Sequence, residues 1–121
     1  MELIIGGAYQ GKLTYAVSRY GFAESELCDL KNGPPSSDCR CLYHLEEWVR
    51  GNKLPARELF DLLAPYMGDC VIICREVGSG IVPLDADERS FREECGSLLR
   101  LLAEKASHVT RIFCGLPEVL K

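Results

Sequence analysis

The chain has 121 residues, of which 47% are hydrophobic and 26% charged, with a formal net charge of −4 at pH 7 and a pI near 5.2. These values predict one globular domain, residues 1–121, and they argue against nucleic-acid binding, which needs a basic face. No apolar run approaches the length of a membrane span and no leader-like segment precedes the first apolar run, so we predict a cytoplasmic protein without a membrane partner.

The first apolar run, Met1 to Ile5, predicts a buried strand that ends in a glycine-rich turn. The turn follows the phosphate-binding pattern G-x-x-x-x-G-K, with Gly6, Gly11 and Lys12 in register. Glycines let backbone amides approach phosphate oxygens, and the next helix points its positive end at the same anion. The predicted nucleotide-binding residues are Gly6, Gly7, Ala8, Tyr9, Gln10, Gly11, Lys12, Leu13 and Thr14. The alternative is a strand–turn–helix connection that merely uses glycines.

Leu13 stands where the pattern has the Ser or Thr whose hydroxyl holds Mg²⁺. A leucine supplies no oxygen ligand to a hard cation, so the sequence leaves Mg²⁺ binding open. Thr14 follows one place later, where it could contact the innermost phosphate.

Helical spacing after Gly11 puts four residues on one face and predicts a helix that ends at Gly21. Those residues are Leu13, Ala16, Val17 and Tyr20. A short second strand is predicted at 27–30, and a loop at 32–37, where Gly, Pro and Ser are concentrated.

Asp38 is predicted to cap a second helix that runs through Leu42 and Trp48 to Gly51, with Trp48 in the core. His44 falls on that helix and is interpreted as an ordinary half-exposed residue. Cys39 and Cys41 beside His44 resemble part of a zinc site, but a fourth ligand is missing, so zinc is not favoured.

A third helix is predicted to begin near Pro55, with its apolar side chains inward. Those side chains are Leu59, Leu62, Leu63 and Tyr66. Cys70 to Cys74 is the clearest interior strand, and ligands gather at the carboxyl ends of parallel strands. Glu76 is therefore predicted at the same edge as the glycine-rich turn, and Asp38 also if a strand precedes it. Both are candidate Mg²⁺ ligands, and Arg75 could face phosphate or pair with Glu76.

Asp85 and Glu88 form a capping box for the longest predicted helix, whose apolar stripe runs from Phe91 to Ala106. Val109 to Cys114 is predicted as the last strand, ended by Gly115 and Pro117. Alternating strands and helices predict an α/β fold of the P-loop type, a mainly parallel sheet in three layers with helices on both faces.

Four segments resemble one family, the bifunctional adenosylcobinamide kinase / adenosylcobinamide-phosphate guanylyltransferases of cobalamin biosynthesis. The segments are Gly6 to Lys12, Glu76 to Pro83 (Glu-Val-Gly-Ser-Gly-Ile-Val-Pro), Arg89 to Glu93 followed by Gly96, and Cys114 to Lys121. The resemblance covers residues 1–20 and 70–121 and is weak between them.

The resemblance implies a protein that binds GTP or ATP and phosphorylates a cobinamide, with Lys12 and Glu76 as catalytic residues. It also allows a homo-oligomer, since members of the family assemble. The family's guanylylated histidine is not assigned to His44, which lacks the surrounding pattern, and Leu99-Arg100 replaces the usual Asn-Gln pair. The alternative function is a catalytically degenerate nucleotide-binding module that regulates or scaffolds.

Overall fold

The computed structural model describes residues 1–77 and 84–121, in which six strands form one sheet. The strands are β1 (Glu2–Gly6), β2 (Leu27–Asp29), β3 (Cys41–Tyr43), β4 (Val71–Arg75), β5 (His108–Phe113) and β6 (Leu116–Val119). The helices are α1 (Lys12–Tyr20), α2 (Leu45–Asn52), α3 (Ala56–Leu63) and α4 (Ala86–Lys105). Residues 78–83, which belong to one of the family-like segments, lie outside the described residues.

The sheet order is β2-β3-β4-β1-β5-β6, and the first five strands are parallel. Only β6 runs antiparallel, paired with β5. The carboxyl ends of the parallel strands therefore lie at one edge of the sheet, called here the ligand edge. At its centre, the chain leaves β1 toward α1 on one face and leaves β4 toward α4 on the other, which is where open sheets of this kind bind ligands.

Successive residues of the central strands point to opposite faces of the sheet and contribute to two hydrophobic cores. Leu3 and Ile72 pack with α2, α3 and α4 on one face, whereas Ile4 and Ile73 pack with α1 on the other. Trp48 is buried in the larger core, as predicted. The predicted α/β fold with a mainly parallel sheet and helices on both faces is thus confirmed.

The helix predicted from Asp38 is wrong in its first half. Residues 41–43 form β3 between β2 and β4, and the helix begins only at Leu45, with His44 at its N-cap. The helical spacing of Leu42, Leu45 and Trp48 favours a helix here, but β3 pairs with β2 on one side and with β4 on the other, and this pairing buries Cys41 and Leu42 completely. The strand is therefore formed in spite of the helical spacing.

Two other predictions need correction. Leu62 is 51% exposed, because α3 packs against the core through Ala56, Leu59 and Leu63 and turns Leu62 away. The chain also does not stop pairing at Gly115: Cys114 and Gly115, both with positive φ, form a two-residue turn into β6. Pro117 is accepted there because β6 lies at the sheet edge.

Asp85 caps α4 by accepting hydrogen bonds from the amides of Asp87 and Glu88. The carboxylate of Glu88 instead binds Arg50 on α2. Across residues 1–77 and 84–121, none of the helices is both long and apolar enough to cross a bilayer.

Candidate functional site

The glycine-rich turn lies at the centre of the ligand edge, between the end of β1 and the start of α1. Gly11 is the N-cap of α1, in the left-handed region at φ 86°, and no side chain caps the helix. The first turn of α1 also carries no acidic residue. Its backbone amides and the positive end of its dipole are therefore left for an anionic ligand.

Gly6 is required by the packing of the sheet. A Cβ at this position would lie 2.6 Å from the carbonyl oxygen of Ile112 on β5. The turn can therefore begin this close to the sheet only with glycine.

Lys12 is folded back over the turn, where Nζ donates a hydrogen bond of 2.7 Å to the carbonyl of Gly7. Burial lowers the pKa of Lys12, and the nearby carboxylate of Glu46 opposes that shift. A half-buried ammonium that holds one loop carbonyl is poised to exchange this partner for phosphate oxygens.

Gln10 joins the turn to the β5–β6 hairpin. Its side-chain oxygen accepts a hydrogen bond from the amide of Cys114, and its carbonyl accepts one of 3.0 Å from the amide of Gly115. The β5–β6 hairpin turn therefore holds the middle of the glycine-rich turn in place.

Other residues of the predicted loop differ in their surroundings. Ala8 and Tyr9 are exposed, and Tyr9 has a positive φ of 58°. Leu13 packs against the core beneath α1, which explains why an apolar residue is accepted there. Thr14 is exposed.

A cavity of about 430 Å³ opens beside the loop and includes residues from four other segments. Its cationic side chains are Lys12, Lys31 and Arg75, and its acidic ones are Glu46 and Glu47. Tyr43 and His44 complete the wall at the end of β3. Cations near uncapped amides suit a polyphosphate, and the two carboxylates supply oxygen donors for a cation carried with it.

Glu46 is a buried acid that the sequence interpretation missed, with only 4% of its surface exposed. Its Oε1 accepts a hydrogen bond of 2.8 Å from the amide of Arg75, which fixes the carboxylate at the end of β4. The strand at 41–43 would have identified this residue. Glu46 and Glu47 follow the carboxyl end of that strand closely, and ligands gather at the carboxyl ends of parallel strands.

Glu76 lies at the ligand edge beside the end of β1, where its amide donates a 2.7 Å hydrogen bond to the carbonyl of Gly6. Its carboxylate accepts a 3.2 Å hydrogen bond from Nε of Arg111 on β5. Of the two orientations open to Arg75, the structure has it lining the cavity.

Asp38 lies away from these residues. It is exposed in the turn before β3, and Arg40, two residues on, pairs with Asp69, which precedes β4. Both strand starts are at the edge opposite to the glycine-rich turn, so the structure does not bring Asp38 and Glu76 together. Asp38 is predicted at the ligand edge only if a strand ends just before it; β3 begins after it instead, so that condition is not met.

The donor set suits Mg²⁺ only when a nucleotide supplies further ligands. Within the described ranges, no three His, Cys, Asp or Glu side chains converge as a metal site. Glu46 and Glu47 offer hard oxygen donors, and Mg²⁺ is commonly held by one or two carboxylates plus phosphate oxygens and water.

His44 stands at the cavity wall and not on the helix where it was predicted. It has a positive φ of 61°, and its Nδ1 lies 2.7 Å from Oδ1 of Asp29 at the end of β2. The neighbouring Tyr43 ring contacts the imidazole, with ring centroids 4.8 Å apart.

Comparison with known proteins gives two matches. The family model "Cobinamide kinase / cobinamide phosphate guanyltransferase" matches residues 39–120. The Bifunctional adenosylcobalamin biosynthesis protein CobP of Pseudomonas aeruginosa is 35% identical over 63 residues, which are 52% of this chain and 36% of that protein. The chain thus spans about a third of the length of the curated relative it matches. The family match includes residues 39–69, so the similarity extends further through the middle than the motifs alone indicate.

Proposed function

Because this chain belongs to the cobinamide kinase / cobinamide phosphate guanyltransferase family, we propose that it binds GTP or ATP at the phosphate loop and phosphorylates a cobinamide. The observation that carries the proposal is the uncapped start of α1, which opens onto a cavity lined by Lys12, Lys31 and Arg75. The reaction is transfer of the γ-phosphoryl group to an alcohol, with the nucleoside diphosphate leaving.

The loop residues Gly6 to Thr14 would hold the phosphates through backbone amides, with Lys12 following the outer phosphates. Phosphoryl transfer depends mainly on positioning and on stabilising the charge of the equatorial oxygens. Lys31 and Arg75, which line the same cavity, would supply the remaining positive charge.

Mg²⁺ bound with the nucleotide would neutralise phosphate charge, and Glu46 and Glu47 are its proposed protein ligands. This assignment replaces the earlier candidates Asp38 and Glu76. Glu76 would act indirectly, by holding Arg111 and the end of β1 in place.

A second candidate function is nucleotide binding without catalysis. It is favoured by Leu13, which packs into the core and leaves the loop without the usual hydroxyl ligand. The same binding surface serves both functions, and only transfer to an acceptor separates them.

Calorimetric titration with GTP and ATP, with and without Mg²⁺, tests the shared binding step. We expect Lys12→Ala to weaken nucleotide binding about 10- to 100-fold, as for loss of a charge-assisted hydrogen bond of about 1.5–3 kcal/mol. The matched control is Lys105→Ala, because Lys105 is an exposed lysine in the last turn of α4. This variant should bind nucleotide as the wild type does.

Transfer is measured separately, as nucleoside diphosphate released in the presence of cobinamide. Absence of nucleotide binding by the wild type contradicts both candidate functions. Binding without transfer contradicts the kinase proposal and leaves the binding module.

A further inference from the structure

The imidazole of His44 is fixed in place from two sides. Asp29 accepts its Nδ1 hydrogen bond at 2.7 Å, and Tyr43 packs against the ring. Asp29 is itself held by the amide of Lys31, which donates a 3.0 Å hydrogen bond to the same Oδ1. A ring that is 46% exposed would ordinarily sample several rotamers, so this arrangement specifies one orientation.

The partner also specifies the tautomer. A carboxylate only accepts hydrogen bonds, so Nδ1 must carry the proton, and the neutral ring then has its lone pair on Nε2. The same division of roles orients the general-base histidine of catalytic triads. His44 and Lys12 line the same cavity, and Nε2 is the ring nitrogen of His44 that carries the lone pair.

The other acids around the cavity have different partners. Glu46 accepts from the amide of Arg75 and lies close to Lys12, whereas Glu76 pairs with Arg111. Seven titratable or charged residues contact His44 or line the same cavity. They are Asp29 at the end of β2, Lys31 after it, Tyr43 on β3, Glu46 and Glu47 on α2, Lys12 on α1 and Arg75 on β4.

We propose that His44, positioned by Asp29, is the general base that accepts the proton of the acceptor hydroxyl; this inference rests on the proposed kinase function. The hydroxyl proton passes to Nε2 as the oxygen forms a bond to the γ-phosphorus. The bond between that phosphorus and the bridging oxygen breaks, and its electron pair leaves with the nucleoside diphosphate. The imidazolium formed is stabilised by the carboxylate of Asp29.

The positive φ of His44 guides the choice of variants. Asparagine and glycine both accept the left-handed region, so His44→Asn and His44→Gly should keep the backbone of the β3–α2 connection. His108→Gln is the matched control, because the chain has two histidines and His108 lies exposed at the start of β5, on the edge opposite to the cavity.

We expect His44→Asn to lower kcat/KM for the acceptor about 10²- to 10⁴-fold, the usual contribution of a general base. Nucleotide affinity by calorimetry should change less than about twofold, because the proposed base acts on the acceptor and makes no phosphate contact. Added imidazole should restore part of the rate to His44→Gly, which a merely structural role would not allow. Asp29→Asn should reduce kcat more than it changes KM, as expected of a positioning residue.

The outcomes separate this inference from the proposed function. Normal transfer by His44→Asn overturns the inference and leaves the kinase proposal intact. A phosphoryl or nucleotidyl adduct trapped on the wild type and lost in His44→Asn also overturns it, since the imidazole would then be a nucleophile. Absence of nucleotide binding, or of transfer to cobinamide, in the wild type overturns both.

Discussion

Gly6 ends β1 and begins the glycine-rich turn, and the packing of the sheet requires glycine at this position. The carbonyl oxygen of Ile112 would lie 2.6 Å from any Cβ at position 6, closer than real Cβ contacts. We expect Gly6→Ala to lower the free energy of unfolding by about 1–3 kcal/mol, the usual cost of overpacking, because β1 and β5 must move apart. Urea denaturation measures this change.

Gly51→Ala provides the contrast, because nothing lies within 4 Å of a Cβ there and the residue is helical. Alanine should raise stability by about 0.5–1 kcal/mol at that position. If Gly6→Ala proved as stable as the wild type, the close approach of the two strands would not be the reason for glycine at position 6.

At the scale of single residues, the sequence predicted what depends on local spacing. Gly6, Gly11 and Lys12 follow one another along the chain, and the structure places them together at the end of β1. Glu46 was missed, and His44 was predicted on a helix, because their positions depend on whether residues 41–43 pair with β2 and β4. That pairing joins segments distant in sequence, and helical spacing nearby gave the opposite indication.

Among the elements, α2 and α4 are joined by a bidentate pair. Arg50 donates to both carboxylate oxygens of Glu88, at 2.7 and 3.2 Å, while its guanidinium lies 3.9 Å from the centroid of the Phe91 ring. The hydrogen bond from Arg50 lowers the pKa of Glu88 below its ordinary 4.5. The sequence predicted an acid at this position of α4 as part of a capping box, but its partner on α2 could not be read from local pattern.

Because the pKa of Glu88 is lower in the folded state, the stabilisation is present above pH 4.5 and is lost as pH falls through the folded-state pKa. We expect Glu88→Gln to lower the urea midpoint at pH 7 and to approach the wild type as the pH falls below the folded-state pKa of Glu88, where the residue is protonated in both states. Glu93→Gln, an exposed acid on the same helix, should show no such pH-dependent gap. A gap that persists in acid would show that Glu88 acts through packing and not through charge.

The outer strand β6 is an element that the local sequence pattern did not predict. Gly115 and Pro117 usually mark the end of a strand, and they do end β5, but the same residues form the turn and the first part of β6. A proline is a stop signal only when its missing amide would have been needed, which is not the case at an outer strand.

At the scale of the whole molecule, the seven cysteines differ in burial and therefore in their accessibility to solvent. All are free thiols in the structure, with Cys41, Cys70, Cys74 and Cys95 buried and Cys114 exposed at the hairpin turn. Burial raises the pKa of Cys41 to about 12 and that of Cys70 to about 11, so both are thiols at neutral pH.

We expect a thiol reagent to label Cys114 rapidly in the native protein, and Cys41 and Cys70 only at the rate of global unfolding. Mass spectrometry of the labelled peptides against time follows each cysteine separately. Rapid labelling of Cys41 in native buffer would mean that β3 opens without unfolding of the sheet.

The contacts of Gln10 have a consequence for how the two ends of the polypeptide cooperate. The glycine-rich turn near the amino terminus is held by a hairpin turn more than a hundred residues later, through the amides of Cys114 and Gly115. The motif residues alone therefore do not hold the turn in shape, and the proposed nucleotide binding should depend on the docked hairpin as well as on the motif.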